Sequence, residues 1–377
     1  MPPSPRLELD RETFLARYWQ REPLHMPAAV AGFETPLDPD EIPGLAMEET
    51  LESRLIECDG DGWRVHHGPF VAADFRRALP FSLLVQAVDH VVPAVAQLRR
   101  LADFLPGWRI DDIMVSYGDD GASVGPHYDN YDVFLLQGAG DKLWRIGQRC
   151  DTDTRLLPHP ELRILADFEC TAEYVLGPGD VLYVPPGVAH WGIARGESTT
   201  FSIGFRAPRL NDMLSRRADA VLERIDTESF FTDPGRPPAQ RAGEITAGDR
   251  RAAADAVQRT LSAHAADCWF GELVTEPRAD LRPDGAALRA LRERWAAGGA
   301  TLSLDPAARV AWQEDEAGVT VFANGDSLQL PRAAQPVIET LCATWRLEPG
   351  DWAGMPPGAD GSTLVQFLLE SGCLDVG

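Results

Sequence analysis

The chain has 377 residues, which at ~150 residues per domain leaves room for two or three domains and a sizeable core. Hydrophobic residues make up 44% of it and charged residues 25%; these fractions exclude a disordered or fibrous protein, and no run reaches the ~18 uninterrupted apolar residues of a membrane span. The 58 acidic residues against 35 basic ones give a net charge of −23, which repels nucleic-acid phosphates and favours a basic partner.

The first ten residues carry no apolar run and no small-residue cleavage site, so a cytoplasmic protein is expected. The six cysteines show no C-x-x-C spacing and are read as free thiols. Residues 7 to 105 read as helices and loops, with a Pro-rich connection from Pro36 to Pro43 and a helical stretch from Phe81 to Leu105. From Ile110 the period changes to two: 110–117, 128–137, 142–147, 181–184 and 199–205 are short alternating or apolar runs cut by Gly-rich turns. Many short strands with Gly and Pro at the corners indicate an antiparallel sandwich or barrel. After Pro208 the pattern returns to helix, with Asn211 or Asp212 as a cap, and a second helix spans Arg250 to Leu273. Their apolar surface exceeds what a helical hairpin hides, so a partner subunit or neighbouring domain is expected to cover it. The last hundred residues hold helices over 285–297, 333–345 and 362–372 and a hairpin turning at Asn324-Gly325, a winged-helix-like pattern. From Asp284 onward the sequence has six Arg, no Lys and thirteen acids, net −7, so direct nucleic-acid binding is not expected.

His127 and Asp129 stand two apart at the start of a strand-like run, where a period of two puts both on one face. An H-x-D pair alone recurs by chance and needs a third ligand. The segment Leu176-Gly-Pro-Gly-Asp-Val-Leu-Tyr-Val-Pro-Pro-Gly-Val-Ala-His supplies it: a Gly-rich turn, a short strand and a Pro-Pro-Gly turn deliver His190. Two imidazoles and one carboxylate suit iron(II) and leave positions open for a chelating cosubstrate and dioxygen. If that cosubstrate is 2-oxoglutarate, its far carboxylate needs a cation deeper in the barrel. Lys142 fits: it is the one lysine of a chain whose other basic residues are all arginine, and it opens a strand expected to fold back beside that of His127, with Trp144 and Ile146 on its face. A compact point charge is what such a role requires. On the strand from Ile110, Asp112, Met114 and Ser116 share a face; Ser116 offers a hydroxyl to the same carboxylate, and Asp112 is an inward acid that wants a cationic substrate group.

His127-Tyr-Asp129, Lys142, Gly179-Asp-Val-Leu-Tyr-Val-Pro-Pro-Gly-Val-Ala-His190 and Phe201-Ser-Ile-Gly-Phe-Arg-Ala-Pro208 together resemble the JmjC family of iron(II) and 2-oxoglutarate oxygenases. More narrowly, Trp108-Arg-Ile-Asp-Asp-Ile-Met, Asp129-Asn-Tyr-Asp-Val-Phe, Cys268-Trp-Phe-Gly-Glu and Phe322-Ala-Asn-Gly resemble the bacterial ribosomal oxygenases, which hydroxylate C3 of an arginine in protein L-sixteen of the large ribosomal subunit. The resemblance implies an α+β chain with a double-stranded β-helix (cupin, jelly-roll) JmjC core and N-terminal helices over 1–208, a helical dimerisation region over 209–276 that makes a homodimer, and a winged-helix-like domain over 277–377. It implies iron at His127, Asp129 and His190, 2-oxoglutarate at Ser116 and Lys142, and an arginine pocket at Asp112, Tyr131 and Ser202. Relatives often carry Arg where this chain has Lys142. Alternatives are a JmjC oxygenase acting on a histidine of another ribosomal protein or on methyl-lysine, and a non-catalytic cupin-like binding module.

Overall fold

A computed structural model describes residues 6–376 apart from 61, 264–267, 299–300, 317 and 353–360. His264 lies outside the described residues. The chain forms two compact units, Met1–Ala207 and Pro208–Gly377.

In the first unit the strands are β1 (Leu24–Met26), β2 (Ser53–Cys58), β3 (Trp63–His67), β4 (Phe81–Val85), β5 (Ile110–Gly118), β6 (Val133–Gln137), β7 (Asp141–Arg149), β8 (Ala172–Leu176), β9 (Val181–Val184), β10 (Val188–Arg195) and β11 (Ser198–Phe205). They make an eight-stranded sheet in the order β1-β9-β6-β11-β5-β4-β2-β3 and a three-stranded sheet in the order β10-β7-β8, with every pairing antiparallel. This is the jelly-roll solution, in which two packed sheets share an interior.

Alternation along the strands builds two cores. Ile113, Val115, Phe134, Leu136, Val181, Tyr183, Phe201 and Ile203 point out of the barrel and join Phe14, Ile42 and Leu101 from the flanking segments. The residues between them point inward, so Val133, Leu135, Leu182 and Val184 meet Trp144, Ile146, Leu176 and Val188 of the opposing sheet. Tyr183 pins the N-terminal segment to the outer face: its hydroxyl donates to Asp132 (2.5 Å) and accepts from the Gln20 N–H (2.7 Å).

Three sequence expectations fail here. The region read as helices and loops before Ile110 also carries β1, β2 and β3. Phe81–Val85 is a strand, not the start of a helix, and only short helical turns, Val88–His90 and Pro93–Ala102, follow it. All five residues of β4 are buried and Ser82 is its single polar residue, so no alternation marks a period of two, and such a run cannot be told from a buried helix by pattern alone. Nor does the Lys142 strand lie beside β6. The turn at Gly138–Gly140 carries the chain across to the other sheet, where β7 pairs with β10 and β8.

The second unit opens with α1 (Leu210–Leu222), α2 (Ala247–Ala263) and α3 (Cys268–Thr275). The expected Arg250–Leu273 helix is thus described as two, with 264–267 outside the described residues. The cap of α1 is Arg209, and Asp212 lies in its first turn instead. Beyond them come α4 (Gly285–Ala296), β12 (Leu302–Leu304), β13 (Val310–Asp315), β14 (Gly318–Ala323), β15 (Asp326–Leu330), α5 (Gln335–Thr344), β16 (Arg346–Leu347), α6 (Gly361–Glu370) and β17 (Leu374–Val376). Helices α4, α5 and α6 and the Asn324-Gly325 turn agree with the sequence pattern. The wing, however, has three strands, β13-β14-β15, and a further small sheet runs β16-β12-β17. Arginines of this part are ion-paired: Arg282 with Asp326, Arg292 with Glu370, Arg294 with Asp375, Arg332 with Glu314 and Arg346 with Glu348.

Candidate active site

His127 and His190 face each other across an antiparallel bridge. The His127 N–H donates to His190 O (3.0 Å) and the His190 N–H to His127 O (2.8 Å), which brings the ring centroids to 4.3 Å. Each imidazole donates from Nδ1 to a backbone carbonyl, His127 to Gly125 (2.9 Å) and His190 to Val188 (3.0 Å). A carbonyl only accepts, so Nδ1 carries the proton on both rings, and Nε2 is left as a lone-pair donor, the tautomer that metal ligation requires. Asp129 is tied down by the Gly187 N–H on its carbonyl (2.7 Å), and its Oδ2 lies 3.7 Å from His190 Nε2. One ligand atom from each of His127, Asp129 and His190 falls within 4.8 Å of the others, and among the described residues this is the group placed to hold a metal ion. Burial first, and the neighbouring His127 second, push the pKa of His190 down to about 4, so its ring is neutral. The donor set fits iron(II) or another borderline divalent ion.

The loop before His127 depends on Gly125. It sits at φ +82°, and a Cβ there would meet the Trp63 ring at 2.7 Å and Ile164 Cδ1 at 2.9 Å. Glycine is therefore the one residue that supplies both the conformation and the space.

Lys142 occupies the inner face of β7. Its strand register runs Ile146 opposite His190, Trp144 opposite Gly192 and Lys142 opposite Ala194, so the Lys142 Cα lies about 13 Å along the strand from the metal-ligating level. A lysine side chain and a five-carbon diacid together fill that interval. The ammonium reaches Ser116 Oγ (3.4 Å) and Thr200 Oγ1 (3.3 Å) and lies over the Trp144 ring at 5.1 Å. Both hydroxyl contacts are longer than an ordinary N–H···O bond, and among the described residues no carboxylate pairs with it. Desolvation pushes its pKa down to about 8. A desolvated cation with only two hydroxyls and a ring face for partners is a standing cost that an incoming anion removes. Gly192 makes the room: a Cβ there would stand 2.9 Å from both Lys142 Cε and the Trp144 ring. Polar atoms left without a partner face the same interior, namely His25 Nε2, Trp144 Nε1 and Ser198 Oγ.

Asp112, on β5, is buried at 4% exposure, and its Oδ2 accepts from Gln86 Nε2 and the Ala87 N–H, each at 3.1 Å. Ser202 lies opposite Met114 in the β11–β5 register, and Thr200 opposite Ser116. Tyr131 keeps 43% of its surface exposed, and desolvation followed by the charges of Asp129 and Asp112 raises its pKa. The geometry thus gathers Asp112, Ser116, Lys142 and Ser202 on the inner faces of facing strands, with the His127–Asp129–His190 group and Tyr131 beside them. Sequence reasoning missed Thr200, although its alternation with Ser202 was a usable signal, and it missed Gln86 altogether.

Residues 97–213 match the JmjC domain family and residues 259–373 the ROXA-like winged helix. Over 278 residues, 73% of this chain and 74% of that protein, the sequence is 38% identical to ribosomal protein uL16 3-hydroxylase of Escherichia coli K12. The chain belongs to the JmjC ribosomal oxygenases. A probable ribosomal oxygenase of Haemophilus influenzae is 32% identical over 393 residues, 96% of this chain and 93% of that one. Among solved structures, E. coli YcfD superposes with a TM-score of 0.82 at 32% identity over the whole of both chains. YcfD in complex with cobalt and 2-oxoglutarate gives 0.78 at 31% identity over 99% of each. The JmjC match of this oxygenase runs from before Asp112 to beyond Ser202, and so takes in the whole set of site residues read from the sequence.

Proposed function

We propose that the protein is an iron(II)- and 2-oxoglutarate-dependent hydroxylase that oxidises C3 of an arginine in large-subunit ribosomal protein L-sixteen (uL16). The observation that carries this reading is Lys142: a desolvated ammonium without a carboxylate partner among the described residues, on the same barrel interior as a two-histidine, one-carboxylate group. Iron(II) with bound 2-oxoglutarate supplies dioxygen activation, coupling decarboxylation of the diacid to succinate and carbon dioxide to insertion of one oxygen atom into a C–H bond. His127, Asp129 and His190 hold the metal through Nε2, a carboxylate oxygen and Nε2. Lys142 takes the far carboxylate of 2-oxoglutarate, with Ser116 as a second donor and Thr200 holding the ammonium in place. Asp112 neutralises the substrate guanidinium, Tyr131 flanks it, and Ser202 gives it a hydrogen bond, so that one carbon is held nearest the reacting oxygen. The net charge of −23 suits a strongly basic ribosomal substrate.

The reading extends to a cytoplasmic homodimer. Among the described residues no helix is long and apolar enough to cross a membrane. Helix α2 buries none of its residues, and Leu210, Leu214, Leu222, Phe230, Phe231, Ile245 and Val257 are exposed large hydrophobics of the 209–276 region, more apolar surface than a monomer ordinarily shows to water. Light scattering should give twice the monomer mass, and Leu214→Asp with Val257→Asp should halve it; a wild-type monomer at micromolar concentration contradicts the dimer.

Succinate release tests the chemistry. Protein supplied with iron(II), 2-oxoglutarate, ascorbate and a uL16 fragment should form succinate, and His127→Ala and Asp129→Ala should not. No succinate from wild-type protein with demonstrably bound iron would favour the non-catalytic binding module instead.

A further inference from the structure

Gln86 is the first residue after β4. Its N–H donates to Glu52 O at 2.9 Å, which fixes the direction in which the chain leaves the sheet. Ala87 follows at φ +52°, in the left-handed region that a residue with a Cβ enters only when its surroundings hold it there. The result is that two donors converge on one atom: Gln86 Nε2 and the Ala87 N–H both reach Asp112 Oδ2 at 3.1 Å. The other oxygen, Oδ1, lies beside Gly204, where a Cβ would stand 3.7 Å away. Gln86 uses one of its two amide N–H donors on the acid, and among the described residues its Oε1 accepts no hydrogen bond.

We infer that Gln86 is a specificity-determining residue for a guanidinium side chain, holding Asp112 in one orientation and adding a second, neutral acceptor next to it; the inference rests on Asp112 being the acid that meets the substrate. A carboxylate and a carboxamide, with one carboxamide N–H already used between them, offer a cation two acceptors, one charged and one neutral. Guanidinium has five N–H donors in a rigid planar fork and can serve both at once, whereas an ammonium is a compact, strongly hydrated charge with three donors in a different geometry. An imidazole has at most two donors, at opposite ends of the ring. The pair Asp112–Gln86 therefore selects arginine over lysine and histidine, where an acid alone would attract any cation.

The test is peptide affinity in protein loaded with manganese(II) and 2-oxoglutarate in the absence of oxygen. Calorimetry is run with a uL16 peptide and with the same peptide carrying lysine in place of the target arginine, on wild type, Gln86→Met, Asp112→Asn and the double variant. Gln86→Met keeps the length of the side chain and removes both polar ends; it should weaken arginine-peptide binding about tenfold, the loss of one hydrogen bond to a charged group, and shrink the arginine-to-lysine ratio. In the Asp112→Asn background the same change should cost less than about twofold, since the two residues act as a pair. Gln86→Asn, polar but too short to reach, should behave as Gln86→Met does, and 2-oxoglutarate affinity read in each variant reports that it is folded. Unaltered arginine-peptide affinity in Gln86→Met and Gln86→Asn, with Asp112→Asn weakened, overturns the inference. Unaltered affinity in Asp112→Asn overturns the underlying substrate reading and the inference with it.

Discussion

Replacing Lys142 by methionine should move two properties in opposite directions. In the protein without cosubstrate, the ammonium is desolvated, touches only hydroxyls at 3.3 and 3.4 Å and lies over an indole, so an apolar chain of the same length relieves a penalty and the unfolding midpoint should hold or rise. Binding of 2-oxoglutarate, by contrast, loses a charge-assisted contact in a desolvated site, about 3 kcal/mol, or roughly 150-fold in Kd. The pH dependence follows from the same residue. Its pKa is depressed to about 8 from an ordinary 10.5, so between those values the unfolded chain binds more protons than the folded one, and this group's contribution to stability rises as pH climbs from 8 to 10.5. Affinity for 2-oxoglutarate goes the other way: it is full below pH 8 and falls above it, because the site must then take up a proton to bind the anion. Thermal unfolding of the two proteins without cosubstrate measures the first property, and titration of 2-oxoglutarate into metal-loaded wild type and Lys142→Met, at pH 7 and pH 9, measures the second. A variant that binds 2-oxoglutarate as tightly as wild type, or a wild-type affinity flat from pH 7 to 9, refutes the reasoning.

Gly192→Ala places a methyl 2.9 Å from Lys142 Cε and from the Trp144 ring; overpacking of this kind should cost about 1–3 kcal/mol in denaturant unfolding and raise the KM for 2-oxoglutarate, and an unchanged KM would mean that the space at Gly192 does not set the position of Lys142. Asp112→Asn should raise the KM for an arginine peptide about a hundredfold, as expected when one partner of a buried charge pair is lost, while leaving the KM for 2-oxoglutarate within a factor of a few; steady-state kinetics with each substrate varied separates the two. Asp89, at 1% exposure, accepts the Ile113 N–H (2.8 Å) and pairs with Arg99. Asp89→Ala should therefore lose about 3–5 kcal/mol in urea unfolding, and a loss below 1 kcal/mol would show that the turns carrying Gln86 and Ala87 are anchored elsewhere.

The ligand-bearing segments were legible because their signals are local. His127-Tyr-Asp129 sits on one short stretch, and Gly179 to His190 is punctuated by glycine and proline at each corner, so both the third histidine and an antiparallel sandwich or barrel could be read without knowing any contact. Lys142 stood out by composition alone. What escaped was set by pairing between distant strands. The run Phe81–Val85 is buried on both faces and carries no alternation, so it looked like the helix that the following Val-Gln-Ala-Val-Asp-His pattern suggests. The partner of β7 could not be read either, because a short Gly-rich turn after β6 favours a hairpin by local chemistry, whereas the chain crosses between sheets here. Thr200 shares a face with Ser202 by alternation, but its place opposite Ser116 shows only once β11 is in register with β5, and Gln86 is visible only once its carboxamide is seen to cross from the end of β4 to Asp112 on β5.

The most direct test of the central claim is tandem mass spectrometry of a uL16 fragment after incubation with the protein, iron(II), 2-oxoglutarate and ascorbate, in parallel with His127→Ala. A mass gain of one oxygen atom on a single arginine, absent from the variant and absent without 2-oxoglutarate, is the predicted result; succinate formed with no oxidised arginine, or oxidation on a histidine instead, would contradict it.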